Sequence, residues 1–298
     1  MTGARGLIGS ALSQRLSASG HRVTRLVRGP AGPGEIAWDP ARERLNPVDL
    51  ERADAVVHLA GENVGARWTP ERKALIRGSR LQGTRLLSTA LARTARPPSV
   101  LISASAIGIY GSRGDEVVTE NSPPPHAAPD FLTALGREWE AAAEPARAAG
   151  LRVVHPRFGL VMSAGGGALK KMLLPFRLGL GGRLGNGSQW MSWITIDDAV
   201  GALCHLLATD SFSGPVNLTA PEPVRNADFT RILGKVLGRP TPFPIPAAVL
   251  RLILGEMAEA TLLASARVLP KRLLASGYRF EHPDLESGLR HVLRTERG

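Results

Sequence analysis

The sequence predicts an α/β fold: a doubly wound parallel sheet with a substrate lobe and a small helical unit at its C-terminal end. Three observations predict it. Short β-branched runs alternate with stretches whose apolar residues recur three and four apart, the order that builds a parallel sheet covered on both faces. Glycines at 3, 6 and 9 open the first helical pattern. Beyond Pro240 the strand-like runs stop and prolines punctuate helical patterns.

The chain opens on Thr2-Gly3-Ala4-Arg5-Gly6-Leu7-Ile8-Gly9, directly before the helical pattern Leu7, Ala11, Leu12, Leu16. One glycine permits a tight turn, a second lets backbone approach a pyrophosphate at the positive helix end, and a third lets helix and strand pack closely. Gly3, Arg5, Gly6, Leu7, Ile8 and Gly9 are therefore candidate cofactor-binding residues. A sheet of this topology needs a strand before the loop, and only Met1 and Thr2 precede it. The expectation is that the first strand is missing from the given chain, whose start would then be internal.

Strands are expected at 22–27, 55–59, 99–103, 152–155 and 215–218, and helices at 7–19, 69–94, 131–149 and 197–209. The second strand of the sheet ends Leu26-Val27-Arg28. A basic residue there can meet an adenosine 2′-phosphate, where an acid would bind free ribose hydroxyls, so Arg28 favours NADP(H) over NAD(H). Arg5 can add a second guanidinium on the same phosphate side. Glycine and proline mark loops at 29–34, 122–125 and 165–167, of which the first and third are expected to border ligand space. Residues 246–266 include Arg251, Glu256 and Glu259 among leucines at helical spacing, which reads as an amphipathic helix pair and not a membrane span. The expected domains are 1–245, for nucleotide and substrate, and 246–298, a small helical unit.

Apolar residues make up 43% of the 298 and charged residues 21%, a balance that excludes a disordered chain. The net charge of +11 comes from scattered arginines with no run of five like charges, so a nucleic-acid partner is not expected and small anionic ligands are. Gln14 and Arg15 end the first apolar run too early for a secretory signal. Cys204, the single cysteine, lies among Ala202, Leu203, Leu206 and Leu207 and reads as a small buried hydrophobe in a reducing, cytoplasmic setting. No membrane partner is expected. His58 sits mid-strand as a core imidazole, and Cys204 and His205 point apart on one helix, so no metal site is expected.

Together with the glycine loop, three strings carry a resemblance: Asp54-Ala55-Val56-Val57-His58-Leu59-Ala60-Gly61, Ser103-Ala104-Ser105-Ala106-Ile107-Gly108-Ile109-Tyr110-Gly111 and Trp193-Ile194-Thr195-Ile196-Asp197-Asp198. With them in this order, the chain resembles the extended short-chain dehydrogenase/reductase superfamily of NAD(P)-dependent epimerases and dehydratases along nearly its whole length. Gly61-Glu62-Asn63 with Arg67-Trp68-Thr69, and the strings at 172–182, 189–194 and 269–278, resemble its atypical epimerase-family branch. That branch ends in a small domain of unassigned role. The resemblance implies a Rossmann fold, with Leu59, Ala60, Gly61 and Ser103 beside the cofactor. It also implies that Arg157, Gln189, Trp190 and Trp193 line the nicotinamide and substrate side. Arg80 stands where wider relatives often have asparagine and could touch phosphate or Glu62.

The superfamily orients its substrate with a serine or threonine and moves the proton with a tyrosine whose pKa a lysine four residues on lowers. Here the tyrosines are Tyr110 and Tyr278, followed four residues on by Gly114 and His282, so no Tyr-x-x-x-Lys exists. The helix that should hold the dyad has Phe131 and Leu135 at those positions. Ser105, with Ser103 as its rival, best matches the superfamily serine. Tyr110 and Glu62 are the remaining candidates for the proton. The expected function is oxidoreductase or epimerase-like chemistry on a small polar substrate. The alternative is a catalytically idle NADP(H)-binding sensor or scaffold.

Overall fold

A computed structural model of the chain describes residues 1–123, 125 and 130–294. Pro124 of the expected 122–125 loop and residues 295–298 of the C-terminal unit lie outside the described residues. Helix α1 (Leu7–Ala18) leads into the strands β1 (Arg25–Val27), β2 (Glu35–Ala37) and β3 (Ala55–His58). Helix α2 (Pro70–Leu91), capped by Thr69 Oγ1 accepting from Arg72 N, leads to β4 (Val100–Ser103), its short continuation β5 (Ser105–Ala106) and β6 (Val117–Val118). The helix expected at 131–149 is two, α3 (Phe131–Ala141) and α4 (Glu144–Ala148). Pro145 has no amide to give Ala141, so the first helix stops there and the second starts with proline in its first turn.

Strands β7 (Arg152–Phe158) and β8 (Leu160–Met162), helix α5 (Gly167–Arg177), and strands β9 (Trp190–Met191) and β10 (Trp193–Thr195) follow. Helix α6 (Ile196–Ala208), strands β11 (Gly214–Leu218) and β12 (Val224–Arg225) and helix α7 (Asn226–Leu237) complete the larger part. The C-terminal segment holds α8 (Ala247–Leu254), β13 (Arg267–Val268), α9 (Lys271–Ala275) and α10 (Leu285–Arg294). Strands therefore do not stop at 240: β13 pairs in parallel with β6, Arg267 opposite Val117. Two residues are too short a strand to leave a period-2 pattern in sequence. The helix pair expected at 246–266 is α8 followed by one wide helical turn, Ala258–Leu262.

The central sheet runs β11-β7-β4-β3, all parallel. Successive side chains alternate between faces, and both faces are covered, so the strands read as unbroken apolar runs. Val57, Ile102 and Val154 meet Leu12 of α1 and Leu203 and Leu206 of α6. Val56, Leu101 and Val153 meet Leu87 and Leu91 of α2 and Ala146 of α4. Beyond β3, Thr2 N donates to Val57 O at 3.0 Å, and Leu26 N donates to Met1 O at 2.8 Å. Met1 and Thr2 thus lie where the sequence expects a strand between β3 and β1: Thr2 bridges His58 in parallel, and the Met1 amino group also donates to Thr24 O at 2.6 Å. None of the helices among the described residues is long and apolar enough to cross a membrane.

A second core joins the chain's end to the lobe built after β7. Leu285, Leu289 and Val292 of α10 lie with Leu169, Leu173, Trp193 and Phe229. Asp198, 1% exposed, holds the approach to α10: its carboxylate accepts from Glu281 N at 2.8 Å, His282 N at 3.0 Å and Thr195 Oγ1 at 3.0 Å. Tyr278 Oη donates to the Asp198 carbonyl at 3.0 Å.

Candidate functional site

The glycine loop lies at the C-terminal edge of the parallel sheet, where folds of this kind bind ligands. Gly3 has φ +66°, and a Cβ on it would lie 2.7 Å from the Leu59 carbonyl carbon. At Gly9 a Cβ would fall 2.1 Å from the Gly3 oxygen. Only glycine permits this closure of loop on helix and strand. Gly6 is the N-cap of α1 and offers no side chain, and the first turn of Leu7, Ile8 and Gly9 carries no acid. The amides of this 12-residue helix therefore keep their capacity for an anion, which the helix dipole favours.

Leu59 and Ala60 are set by a buried brace. Their amides both donate to Thr2 Oγ1 at 3.2 Å, leaving that hydroxyl its proton to give His58 Nδ1 at 2.7 Å. The imidazole then carries its own proton on Nε2 and donates to Thr84 Oγ1 at 3.0 Å, which also accepts from Trp139 Nε1. Burial pushes His58 down to about 4, so it stands neutral as a core imidazole.

The two arginines expected at the 2′-phosphate differ. Arg28 is exposed just past β1 and has no ion pair among the described residues. Arg5 already faces a carboxylate, Glu35 Oε1, at 3.2 Å. Arg80 is held by protein groups beside Gly61. Its Nη1 donates to Glu62 O at 3.0 Å and Ile76 O at 3.2 Å, and its guanidinium lies 4.9 Å from the centre of the Trp139 ring. Burial lowers Arg80 to about 10. It touches Glu62 through the backbone and supports the 61–62 turn from beneath. The Glu62 carboxylate meets Arg72 Nη2 at 3.0 Å with its side chain 37% exposed.

Ser105, Tyr110 and Arg157 come together, under the edge rather than on it. Arg157 is bidentate on Glu140, Nε to Oε1 and Nη2 to Oε2, both at 2.8 Å. Ser105 Oγ donates to Glu140 Oε1 at 2.6 Å. Arg157 Nη1 donates to Tyr110 Oη at 2.8 Å, and Tyr110 Oη donates to Asn217 Oδ1 at 2.7 Å. Asn217 continues the chain, its Nδ2 donating to Leu269 O at 3.0 Å and its backbone N to Glu120 Oε1 at 3.1 Å. Burial alone would raise the Glu140 carboxyl; the hydrogen bonds and charge of Arg157 outweigh it and hold the group below its usual range. Burial pushes the Tyr110 hydroxyl up, against the pull of Arg157.

Tyr110 is 2% exposed with its hydroxyl engaged on both sides, and Arg157 is 9% exposed against Glu140. Ser103 is fully buried at the end of β4, and its Oγ has no hydrogen-bond partner among the described residues. At the two dyad positions, Phe131 lies edge-on to Trp68 at 5.0 Å and Leu135 is buried with Trp68, Ile76 and Met257. This wall is apolar. Glu140, Asn217 and Thr2 were not singled out from sequence: Glu140 and Arg157 meet across a helix-to-strand crossover, and no spacing rule marks such a pair.

A Rossmann sheet with a glycine-only loop, an uncapped helix end and an unpaired arginine past β1 defines a dinucleotide-binding class of protein. Within it, the chain belongs to the NAD dependent epimerase/dehydratase family, whose model matches residues 1–218. Residues 245–292 match a domain of unknown function, DUF1731. An epimerase family protein of Mycobacterium tuberculosis is 43% identical over 97% of this chain and 95% of its own length. Epimerase family protein SDR39U1 of Homo sapiens is 39% identical, covering 98% of each chain. The crystal structure of human SDR39U1 (isoform 2) with NADPH is similar at a TM-score of 0.88, with 37% identity and 98% of both chains covered.

Proposed function

We propose that this protein binds NADP(H) at the α1 edge and acts as an oxidoreductase or epimerase-like enzyme on a small polar substrate. The observation that carries the reading is the uncapped α1 N-terminus together with Arg28 unpaired past β1. The NADPH in the similar human structure supports it. Leu7, Ile8 and Gly9 would hold the pyrophosphate, Arg28 the 2′-phosphate, and Leu59 to Gly61 the neighbouring wall. Bound there, the cofactor supplies a hydride. Ser103 and Ser105 are the hydroxyls at the strand end. Glu62, half-buried and paired with Arg72, is the acid assigned to exchange a proton with substrate. Tyr110 and Arg157 then act as positioning residues, holding Ser105 through Glu140. The division at 245/246 and a reducing, cytoplasmic setting belong to the same proposal.

A second reading, a nucleotide-binding sensor without turnover, is favoured by the apolar Phe131 and Leu135 in place of the dyad. Calorimetric titration of NADPH and NADH into wild type and Arg28→Ala tests the binding. The expected result is an NADPH preference that collapses in the variant, and no binding to either nucleotide refutes both readings. Oxidation of bound NADPH by a panel of carbonyl and sugar-nucleotide compounds, followed by absorbance, then separates enzyme from sensor.

A further inference from the structure

Exposed large apolar side chains concentrate in two segments, one on and after α5 and the other on and before α8. Leu174, Leu178 and Leu180 are 66%, 64% and 57% exposed, and Phe243, Leu252 and Ile253 are 56%, 77% and 60% exposed. The segments lie side by side. Leu184 and Ile245 form a parallel bridge, a Cβ on Gly182 would overlap the Phe243 carbonyl, and Gly179 faces Pro240. Residues 65–67 tie the two ends together: Lys171 Nζ donates to Gly65 O, and Arg67 Nη1 donates to Leu252 O and Ile253 O. The two segments thus adjoin through 179–184 and 240–245 and are both tied to residues 65–67, and their exposed side chains are taken together as one strip.

Its charge has one sign. No Asp or Glu occurs between Glu144 and Asp197, or between Asp228 and Glu256. Lys170, Lys171, Arg177, Arg183 and Arg239 are all exposed in these segments. The acids at the border, Glu256 and Glu259, are already paired with Lys73 and Arg251. On α5 the spacing is helical: Leu174 has Lys170 and Lys171 one turn before it and Arg177 and Leu178 one turn after it, opposite the buried Leu169, Leu173 and Phe176.

We propose that this strip docks the protein onto an anionic lipid bilayer, on which it lies without spanning. Leucine, isoleucine and phenylalanine enter the acyl boundary while lysine and arginine meet the headgroup phosphates, the two signals that surface anchoring needs. The leucines distinguish the strip from a nucleic-acid surface, which would use the arginines alone. A second copy of the chain fits poorly, because an isologous contact would set this basic strip against itself. The inference agrees with the sequence expectation that no segment spans a membrane, departs from the expectation of no membrane partner, and stands independently of the nucleotide site.

The test is co-sedimentation of the full chain with phosphatidylcholine vesicles made with and without phosphatidylglycerol. Leu178→Asp/Leu252→Asp and Arg183→Glu/Arg239→Glu are the variants, and unchanged far-UV circular dichroism and NADPH titration serve as the fold controls. Wild type is expected to partition onto the anionic vesicles and to lose that partition in high salt. The charge pair should weaken it by about fivefold or more per site, and the leucine pair should abolish it. Wild type remaining in the supernatant overturns the proposal, as does partition that neither variant changes. A wild-type dimer, seen by light scattering, that the leucine pair dissociates would assign the strip to self-association and overturn it as well.

Discussion

Glu140→Ala should destabilise the fold more than any surface ion-pair deletion in this chain. The substitution removes the acceptor of two charged hydrogen bonds from Arg157 and one from Ser105. It leaves a guanidinium that is 9% exposed with Tyr110 Oη as its remaining hydrogen-bond partner on that side. Breaking one partner of such a pair costs about 3–5 kcal/mol, because the other charge stays buried and uncompensated. For a chain of this size that is a fall in Tm of at least about 6 °C. Arg157→Met added to Glu140→Ala removes the stranded charge and should recover much of the loss. The assay is urea and thermal unfolding of wild type, both single variants and the double variant. A fall below about 2 °C for Glu140→Ala, or a double variant whose loss equals the sum of the singles, refutes the argument. The carboxyl is held below its ordinary value, so its contribution is fully present above the unfolded carboxylate pKa and is lost as pH falls through the folded one. Wild-type stability should therefore fall more steeply in acid than that of the double variant.

Gly9→Ala places a methyl 2.1 Å from the Gly3 oxygen and should eliminate measurable NADPH binding by calorimetry, with a lowered Tm, whereas Ser10→Ala on the exposed face should change neither. His58 is neutral when folded, at about 4 against an unfolded value near 6.5, so the unfolded chain takes up the proton first. Stability should decline as pH drops between those values, by roughly 3 kcal/mol, and a His58→Gln variant should show a flatter urea midpoint over the same window. Asp198→Ala leaves Glu281 N and His282 N without their acceptor. It should make the 278–294 segment the first site of limited proteolysis, while cleavage elsewhere keeps its wild-type rate.

Much of the sheet was legible in sequence because its strands are buried on both faces. Val56-Val57, Leu101-Ile102 and Val153-Val154 each declare themselves as apolar runs. The glycine loop was legible for a steric reason, since Gly3 and Gly9 have no room for a Cβ. The two-residue strands β5, β6, β9, β12 and β13 were not, because pairing so short leaves no periodicity. Access was the harder quantity. Tyr110 and Arg157 carry family-like spacing, yet whether a hydroxyl faces a cleft or an Asn217 side chain depends on a partner 107 residues away. Arg80 reads as a partner of phosphate or of Glu62, and only the fold shows its guanidinium bound to the Glu62 carbonyl and lying over Trp139.

The C-terminal segment shares its buried hydrogen bonds with residues far upstream, and this bears on how such proteins can be recombined. Ser192 Oγ donates to Ala266 O and accepts from Val268 N, Asn217 reaches Leu269, and β13 completes a pair begun by β6. A graft exchanged between relatives at residue 245 would sever each of these contacts and strip α10 from the Trp193 and Phe229 core. A chimera that respects the molecule must transfer Glu120, Ser192, Asp198 and Asn217 along with the tail they receive. The seam of inheritance then follows hydrogen bonds, and a single crossover point in the gene does not reproduce it.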